Sequence, residues 1–185
     1  MLGDFHGAAD PEALLESAVR SLHDYVTRVG DRDPRLMGMG ATVVCGLFHR
    51  TRVYFAHVGD SRLYQFRKGE LKQLTFDHTY VGAEFRAGKL SEREARSHPR
   101  KNILRQAIGA GCQFVSPQVS SSTIERGDWF LICSDGVTDG MWNKNIAQCF
   151  ADADADGSDA ETVAKRILEW SLAEAGSDDT TLFVI

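Results

Sequence analysis

The residues able to do chemistry gather where apolar runs end. Gly127-Asp128-Trp129-Phe130-Leu131-Ile132-Cys133-Ser134-Asp135-Gly136-Val137-Thr138-Asp139 carries a β-prone run straight into Asp135-Gly136. A carboxylate at a strand end is held rigidly, and Asp139 points back to the same place if a helix starts there. Hard divalent cations need such convergent oxygens. Taken alone, the stretch reads first as a helix N-cap, with Ser134 or Asp135 satisfying free amides. Gly176-Ser177-Asp178-Asp179-Thr180-Thr181 adds two carboxylates before the last apolar run, and alone it reads as a turn. Two acidic clusters, each at the edge of a β-run, suggest one shared metal site. The cation would be magnesium, manganese or calcium, held by oxygens. Gly59-Asp60-Ser61-Arg62 and Thr75-Phe76-Asp77-His78-Thr79 supply further candidates.

Other groups carry less. Asp152-Ala153-Asp154-Ala155-Asp156-Gly157 resembles the start of an EF-hand loop, but Val163 stands where a bidentate Glu is needed. We read it as an acidic loop leading into Ser158, with a calcium-responsive protein as a minor alternative. His57 lies in an apolar run and reads as a packed core histidine. His78 follows a candidate ligand and reads equally as a substrate contact or a solvated loop residue. Trp129, Trp142 and Trp170 read as core aromatics. Arg100, Lys101 and Arg105 can attract a phosphopeptide or simply form a solvated face. Cys45, Cys112, Cys133 and Cys149 form no CxxC pair, which removes zinc-ribbon and thioredoxin readings.

The elements that must position these groups follow from periodicity. Leu14, Leu15, Val19, Leu22 and Val26 predict an amphipathic helix over 10–28, capped by Asp10 with Pro11 at its first position. Ala41–Phe48, Val53–Val58 and Arg62–Phe66 predict successive antiparallel strands, the last alternating with period two. Residues 75–112 read as mainly helical, with Ser91-Glu92-Arg93-Glu94 as a capping box. Strands return at 118–124 and 129–133. Ser158-Asp159-Ala160-Glu161 reads as a second capping box, opening a helix to about Glu174 with Gly176 as its C-cap. Thr180–Ile185 is the last strand. This order is α+β with antiparallel sheet rather than Rossmann alternation.

The 185 residues suit one domain, and 43% hydrophobic with 25% charged residues excludes a disordered or fibrous chain. No apolar run is long enough to span a bilayer, and Asp4 and His6 interrupt any signal-peptide core. The net charge of −5 disfavours a nucleic-acid partner. The cysteine usage points to a reducing, cytoplasmic compartment.

Gly38-Met39-Gly40-Ala41-Thr42, Val58-Gly59-Asp60-Ser61-Arg62, Leu74-Thr75-Phe76-Asp77-His78-Thr79, Cys133-Ser134-Asp135-Gly136 and Asp178-Asp179-Thr180 together resemble the type 2C metal-dependent serine/threonine phosphatases, bacterial branch, in order and spacing. The stretch from Gly88 through His98-Pro99-Arg100-Lys101-Asn102 to Gly109 resembles that branch's mobile flap and following helix. The resemblance implies one domain over 1–185, with a flap at about 79–101. It implies a four-layer αββα sandwich of two antiparallel sheets, N-terminally truncated. By the same resemblance, Asp135 and Asp178 match ligands of a core magnesium or manganese ion, and Asp77 and Asp139 match ligands of a weaker third ion. Asp60 matches a mainly structural position, and His78 is a candidate substrate contact. The expected activity is hydrolysis of phosphorylated proteins by metal-activated water.

The chain departs from the family pattern at its start. The Asp-Gly-Met-Gly-Gly motif, whose Asp bridges the two core metals, does not occur in it. The expectation is therefore a fragment or short form with impaired turnover. The alternative is a non-catalytic binding or regulatory module that keeps the fold. Unpaired sheet edges further predict a homodimer.

Overall fold

The computed structural model describes residues 10–175 and 179–185. In chain order the elements are α1 (Pro11–Arg32), a 3₁₀ turn (Pro34–Leu36), β1 (Gly40–Ala41), β2 (Val43–His49), β3 (Arg52–Val58), β4 (Arg62–Arg67), β5 (Glu70–Gln73), α2 (Tyr80–Arg86), α3 (Glu92–Ser97), β6 (Ile108–Gly109), β7 (Gln118–Thr123), β8 (Trp129–Cys133), α4 (Asp135–Gly140), α5 (Asn143–Asp156), α6 (Ala160–Ala175) and β9 (Leu182–Val184). Two compact units share them: residues 10–58 with 106–124, and residues 59–105 with 125–185. Both combine helices with antiparallel sheet, as the α+β reading requires.

In the first unit, β3 lies between β2 and β7, and β1 pairs β6. Helix α1 lays Leu15, Val19 and Val26 on Ala56, Val58, Ile108 and Val115. Each such side chain fully buried is worth about 1.5–3 kcal/mol. Polar ties fix the helix's position: Gly109 N–H donates to His23 Nδ1 at 3.1 Å, and Arg20 Nη1 donates to the Val115 carbonyl at 2.7 Å. The helix outruns the sequence reading. It passes Gly30 and stops only at Asp33, because Pro34 disfavours helical backbone in the residue before it.

In the second unit the sheet order is β5-β4-β8-β9. The β4–β5 hairpin turns on Lys68 and Gly69, at φ +51° and +87°, the two positive values a type I′ turn needs. Tyr64, Phe66, Leu131 and Cys133 from the sheet pack with Met141, the residue that ends α4, and with Val137, Ile146, Phe150, Val163 and Ile167 from the three C-terminal helices. The Phe66 and Phe150 rings stack at 5.5 Å. Strand β4 is buried from Leu63 to Phe66, on both faces, against the expected alternation. Gln65 tolerates this because its Nε2 donates to Asp128 at 2.9 Å.

Several local expectations are corrected. Residues 75–112 are not mainly helical. They form two short helices, begun by Thr79 and Ser91 caps and broken by turns at Gly88, His98–Lys101 and Gly111. The acidic stretch Asp152–Asp156 is the end of α5, not a loop, and Gly157 caps it at φ +73°. That geometry gives an EF-hand loop no place. Ser158 does not cap α6. Its amide and hydroxyl go to the Asp156 carboxylate, and Asp159 instead accepts from Thr162 N–H at 2.9 Å. Trp170 is exposed rather than core. The expected Gly176 cap lies outside the described residues. No described helix is long and apolar enough to cross a membrane.

Candidate metal centre and adjoining cleft

The second unit's ladder gathers the acidic residues at one end of its sheet. Arg62 at the start of β4 pairs with Cys133 at the end of β8, and Leu182 at the start of β9 pairs with the same Cys133. Antiparallel pairing therefore brings Asp60, Asp135 and the segment at Asp179 together. The hairpin returns β5 alongside β4. Leu74 N–H donates to Leu63 O at 2.8 Å, and Leu63 N–H to Thr75 Oγ1 at 3.1 Å. Asp77 follows within reach of the same end.

Helix α4 carries Asp135 in its first turn. Ser134 holds the N-cap position but makes no side-chain capping bond there. It binds the last strand's approach instead, accepting from Thr181 N–H at 3.0 Å. The helix lies against neighbouring backbone. A Cβ at Gly136 would come within 2.9 Å of Asp179 O, and one at Gly140 within 2.8 Å of Ser171 Cα.

Each expected site residue except Asp178 has a defined place. Asp77 is consumed by an ion pair: its Oδ1 accepts from Arg62 Nε and Gln73 Nε2 at 2.9 Å each, and its Oδ2 accepts from Arg62 Nη2 at 2.6 Å. Arg62 Nη1 also donates to Tyr64 Oη at 2.8 Å, and Tyr64 donates to Asn143 Oδ1 at 3.1 Å. Burial alone would weaken the Arg62 charge, but Tyr64 and Asp77 more than offset it. Asp139 accepts from Lys101 Nζ at 2.7 Å. His78 Nδ1 accepts from Gly59 N–H at 3.3 Å; burial, then the Arg86 charge, lowers its proton affinity. Asp178 lies outside the described residues.

Asp60 has a raised proton affinity. Burial first, then Asp135 and Asp77, push its carboxyl up to about 6. Asp60, Asp77, Asp135, Asp139 and Lys101 line one cleft of about 260 Å³, with Phe76 on its apolar wall. Asp60 and Asp135 are hard oxygen donors, the kind magnesium and manganese take. Among the described residues no three His, Cys, Asp or Glu side chains converge to hold an ion. Magnesium, though, is commonly held by one or two carboxylates and keeps several waters. The donor set fits such an open site in kind, with Asp135 as its anchor.

Cysteine chemistry finds no support here. Burial pushes Cys133, two residues before Asp135, up to about 12, and it also raises Cys45 and Cys149. Reactive cysteines need the opposite shift. The partners of Asp77 and Asp139 escaped the sequence reading. Arg62 stands 15 residues from Asp77 and Lys101 stands 38 from Asp139. The only available signal was the basic residue closing Gly59-Asp60-Ser61-Arg62.

Comparison with known proteins adds a common theme. The family model for protein phosphatase 2C matches residues 2–171. Serine/threonine protein phosphatase PstP of Mycobacterium tuberculosis is 33% identical over 183 residues, covering 99% of this chain and 34% of that protein. Protein phosphatase PhpP of Streptococcus pneumoniae is 38% identical over 107 residues, 58% of this chain and 43% of that protein. The chain thus spans about a third of the length of the mycobacterial relative. The crystal structure of Mycobacterium tuberculosis PstP matches with a TM-score of 0.85 at 31% identity, covering 98% of this chain and 74% of that one. A structure of the PstP catalytic domain in complex with two manganese ions matches at 0.83 and 30% identity, covering 98% and 73%.

Proposed function

Because the chain belongs to the protein phosphatase 2C family, we propose that it is a metal-dependent phosphatase domain acting on phosphoserine and phosphothreonine in proteins. The observation that carries this reading is the convergence of Asp60 and Asp135 on one cleft, at the sheet end where β8 meets α4. Asp135 and Asp178 hold magnesium or manganese in this proposal. A bound dication would lower the pKa of its water and offset charge building on the phosphoryl oxygens. The chain's own residues set the rest. Ser134 and Gly136 fix the start of α4 against the Asp179–Thr181 segment, which orients Asp135. Asp60 stays protonated below pH 6 without a cation and becomes a second anionic wall above it. His78, tied to Gly59, is a substrate contact in this reading from beside the cleft, since its neighbours Asp77 and Thr79 line the cleft and it does not.

Turnover by the 185-residue chain alone is expected to be weak. Asp77 and Asp139, the expected ligands of a third ion, are held by Arg62 and Lys101. The same pairing favours the second reading, a binding or regulatory module that keeps the fold. Hydrolysis of para-nitrophenyl phosphate with manganese separates the two. Slow, manganese-dependent turnover abolished by Asp135→Ala supports the enzyme. Turnover indifferent to manganese or to Asp135→Ala overturns the metal reading. Phosphopeptide binding without any turnover supports the module.

A further inference from the structure

The segment from α3 to Lys101 grips α4 at the end opposite Asp135. Arg96 donates from Nη1 to the Thr138 carbonyl and to Met141 O at 2.8 Å, and from Nη2 to Asp139 O at 2.9 Å. Its guanidinium lies 4.4 Å from the Trp142 ring centroid. Lys101 adds the 2.7 Å pair with Asp139, and Glu92 Oε1 accepts from Asn143 N–H at 3.3 Å. The last carbonyls of a helix lack internal partners and carry partial negative charge, so a cation placed on them is favourable. Helix α4 has only six residues, too few to hold itself in place. Its orientation is set by its neighbours: Val137 packs into the core, Gly136 and Gly140 lie against the Asp179 and Ser171 backbone, and Arg96 with Lys101 holds its carbonyl end.

We propose that Arg96 is a positioning residue for Asp135. By clamping the carbonyl end of α4, it fixes the direction in which the helix presents its first-turn carboxylate, and so couples docking of α3 to cation binding at Asp135. The proposal rests on Asp135 acting as a metal ligand, the reading given above. Coupling of this kind is reciprocal: if docked α3 favours the cation, the cation must favour docked α3. Loss of a partner that orients a ligand typically costs 10–100-fold in metal affinity.

The test uses the chain with manganese alone as probe. Amide hydrogen exchange is followed over Asp135–Met141 and Glu92–Ser97, and free manganese is measured by its paramagnetic resonance. In the parent, manganese should slow exchange in both segments. In Arg96→Met, which keeps the aliphatic stem, affinity should fall about tenfold and protection of Glu92–Ser97 by manganese should vanish. Arg96→Lys should recover only a minor part, because an ammonium cannot span three carbonyls as the planar fork does. A purely structural Arg96 would lower the melting temperature yet leave manganese protecting Glu92–Ser97, and that result overturns the proposal. Protection of Asp135–Met141 alone in the parent also overturns it, while leaving the metal reading intact. No protection anywhere, or binding unchanged by Asp135→Ala, overturns both.

Discussion

Arg62→Met should expose how firmly the cleft commits Asp77 to an ion pair. The Arg62 and Asp77 side chains are only 23% and 14% exposed, so the variant leaves a carboxylate facing little water and no cation. Removing one partner of a buried pair costs about 3–5 kcal/mol. Gln73 still donates to Asp77, and Tyr64 still reaches Asn143, which places the loss near the lower bound, about 3 kcal/mol. Asp77→Asn should cost about the same, because it leaves Arg62 as the uncompensated charge. The double variant Arg62→Met with Asp77→Asn should lose scarcely more than either single one, a coupling of about 2–3 kcal/mol. With a urea slope of about 2 kcal/mol/M, each single loss moves the unfolding midpoint by about 1.5 M. Circular dichroism in urea with EDTA reads all four corners of the cycle. Losses that add to within about 0.5 kcal/mol would show that the pair does not act as a unit. Saturating manganese supplies a further arm. If Asp77 also serves a weak third ion, the metal should recover more of the deficit in Arg62→Met than in Asp77→Asn, over the stabilisation that a cation at Asp135 gives both.

Asp60 gives a pH dependence of definite sign. Its folded carboxyl, at about 6, lies above the ordinary 3.8, so the stability it contributes is complete below 3.8 and is lost as pH rises through about 6. Urea midpoints in EDTA between pH 4 and 6.5 should carry this loss in the parent and lack it in Asp60→Asn; identical profiles would refute the assignment. Gly140→Ala should destabilise by about 1–3 kcal/mol, against the usual gain from replacing a helical glycine, because its Cβ meets the Ser171 backbone at 2.8 and 2.9 Å. A thermal melt at or above the parent's would contradict the close approach of α4 and α6. Strand β2 pairs only with β3 among the described residues, and light scattering should find a dimer joined along its outer edge. A strict monomer at high concentration rules that association out.

Strands and hairpins were legible because their signals are local. Val53–Val58 and Trp129–Cys133 are short β-prone runs, and Lys68-Gly69 is a turn in its own right. Helix starts read well where nothing competes for the cap, as at Asp10 and in the Ser91–Glu94 box. They misread by one residue at Ser158, where Asp156 takes the hydroxyl that the cap would need. The span 75–112 is not helical throughout because its Thr79 and Ser91 caps start only short helices, which Gly88, Pro99 and Gly111 break.

The acidic strand ends could be picked out one by one, yet their partners could not. Arg62 reaches Asp77 only once a hairpin folds back, and Arg96 finds the carbonyls of α4 some 42 to 45 residues on. A guanidinium bound to backbone carbonyls leaves no signature in the partner's side chains. No pattern of residue types announces it.

The interleaving of the two units bears on how the chain comes to fold. Neither is continuous: residues 59–105 leave the first unit before residues 106–124 complete it, and the second waits for everything after 125. Strand β4 is made early, but its neighbour β8 comes some 70 residues later and the β9 edge lies at the very end. Contacts so distant in sequence pay their loop-closure entropy before any pairing rewards it, which slows folding. During synthesis, the β4–β5 hairpin therefore emerges with one long edge open until the closing residues arrive. A chain clipped before Leu182 would never receive the strand that abuts Cys133, and a nascent chain stalled there is the form most exposed to mispairing.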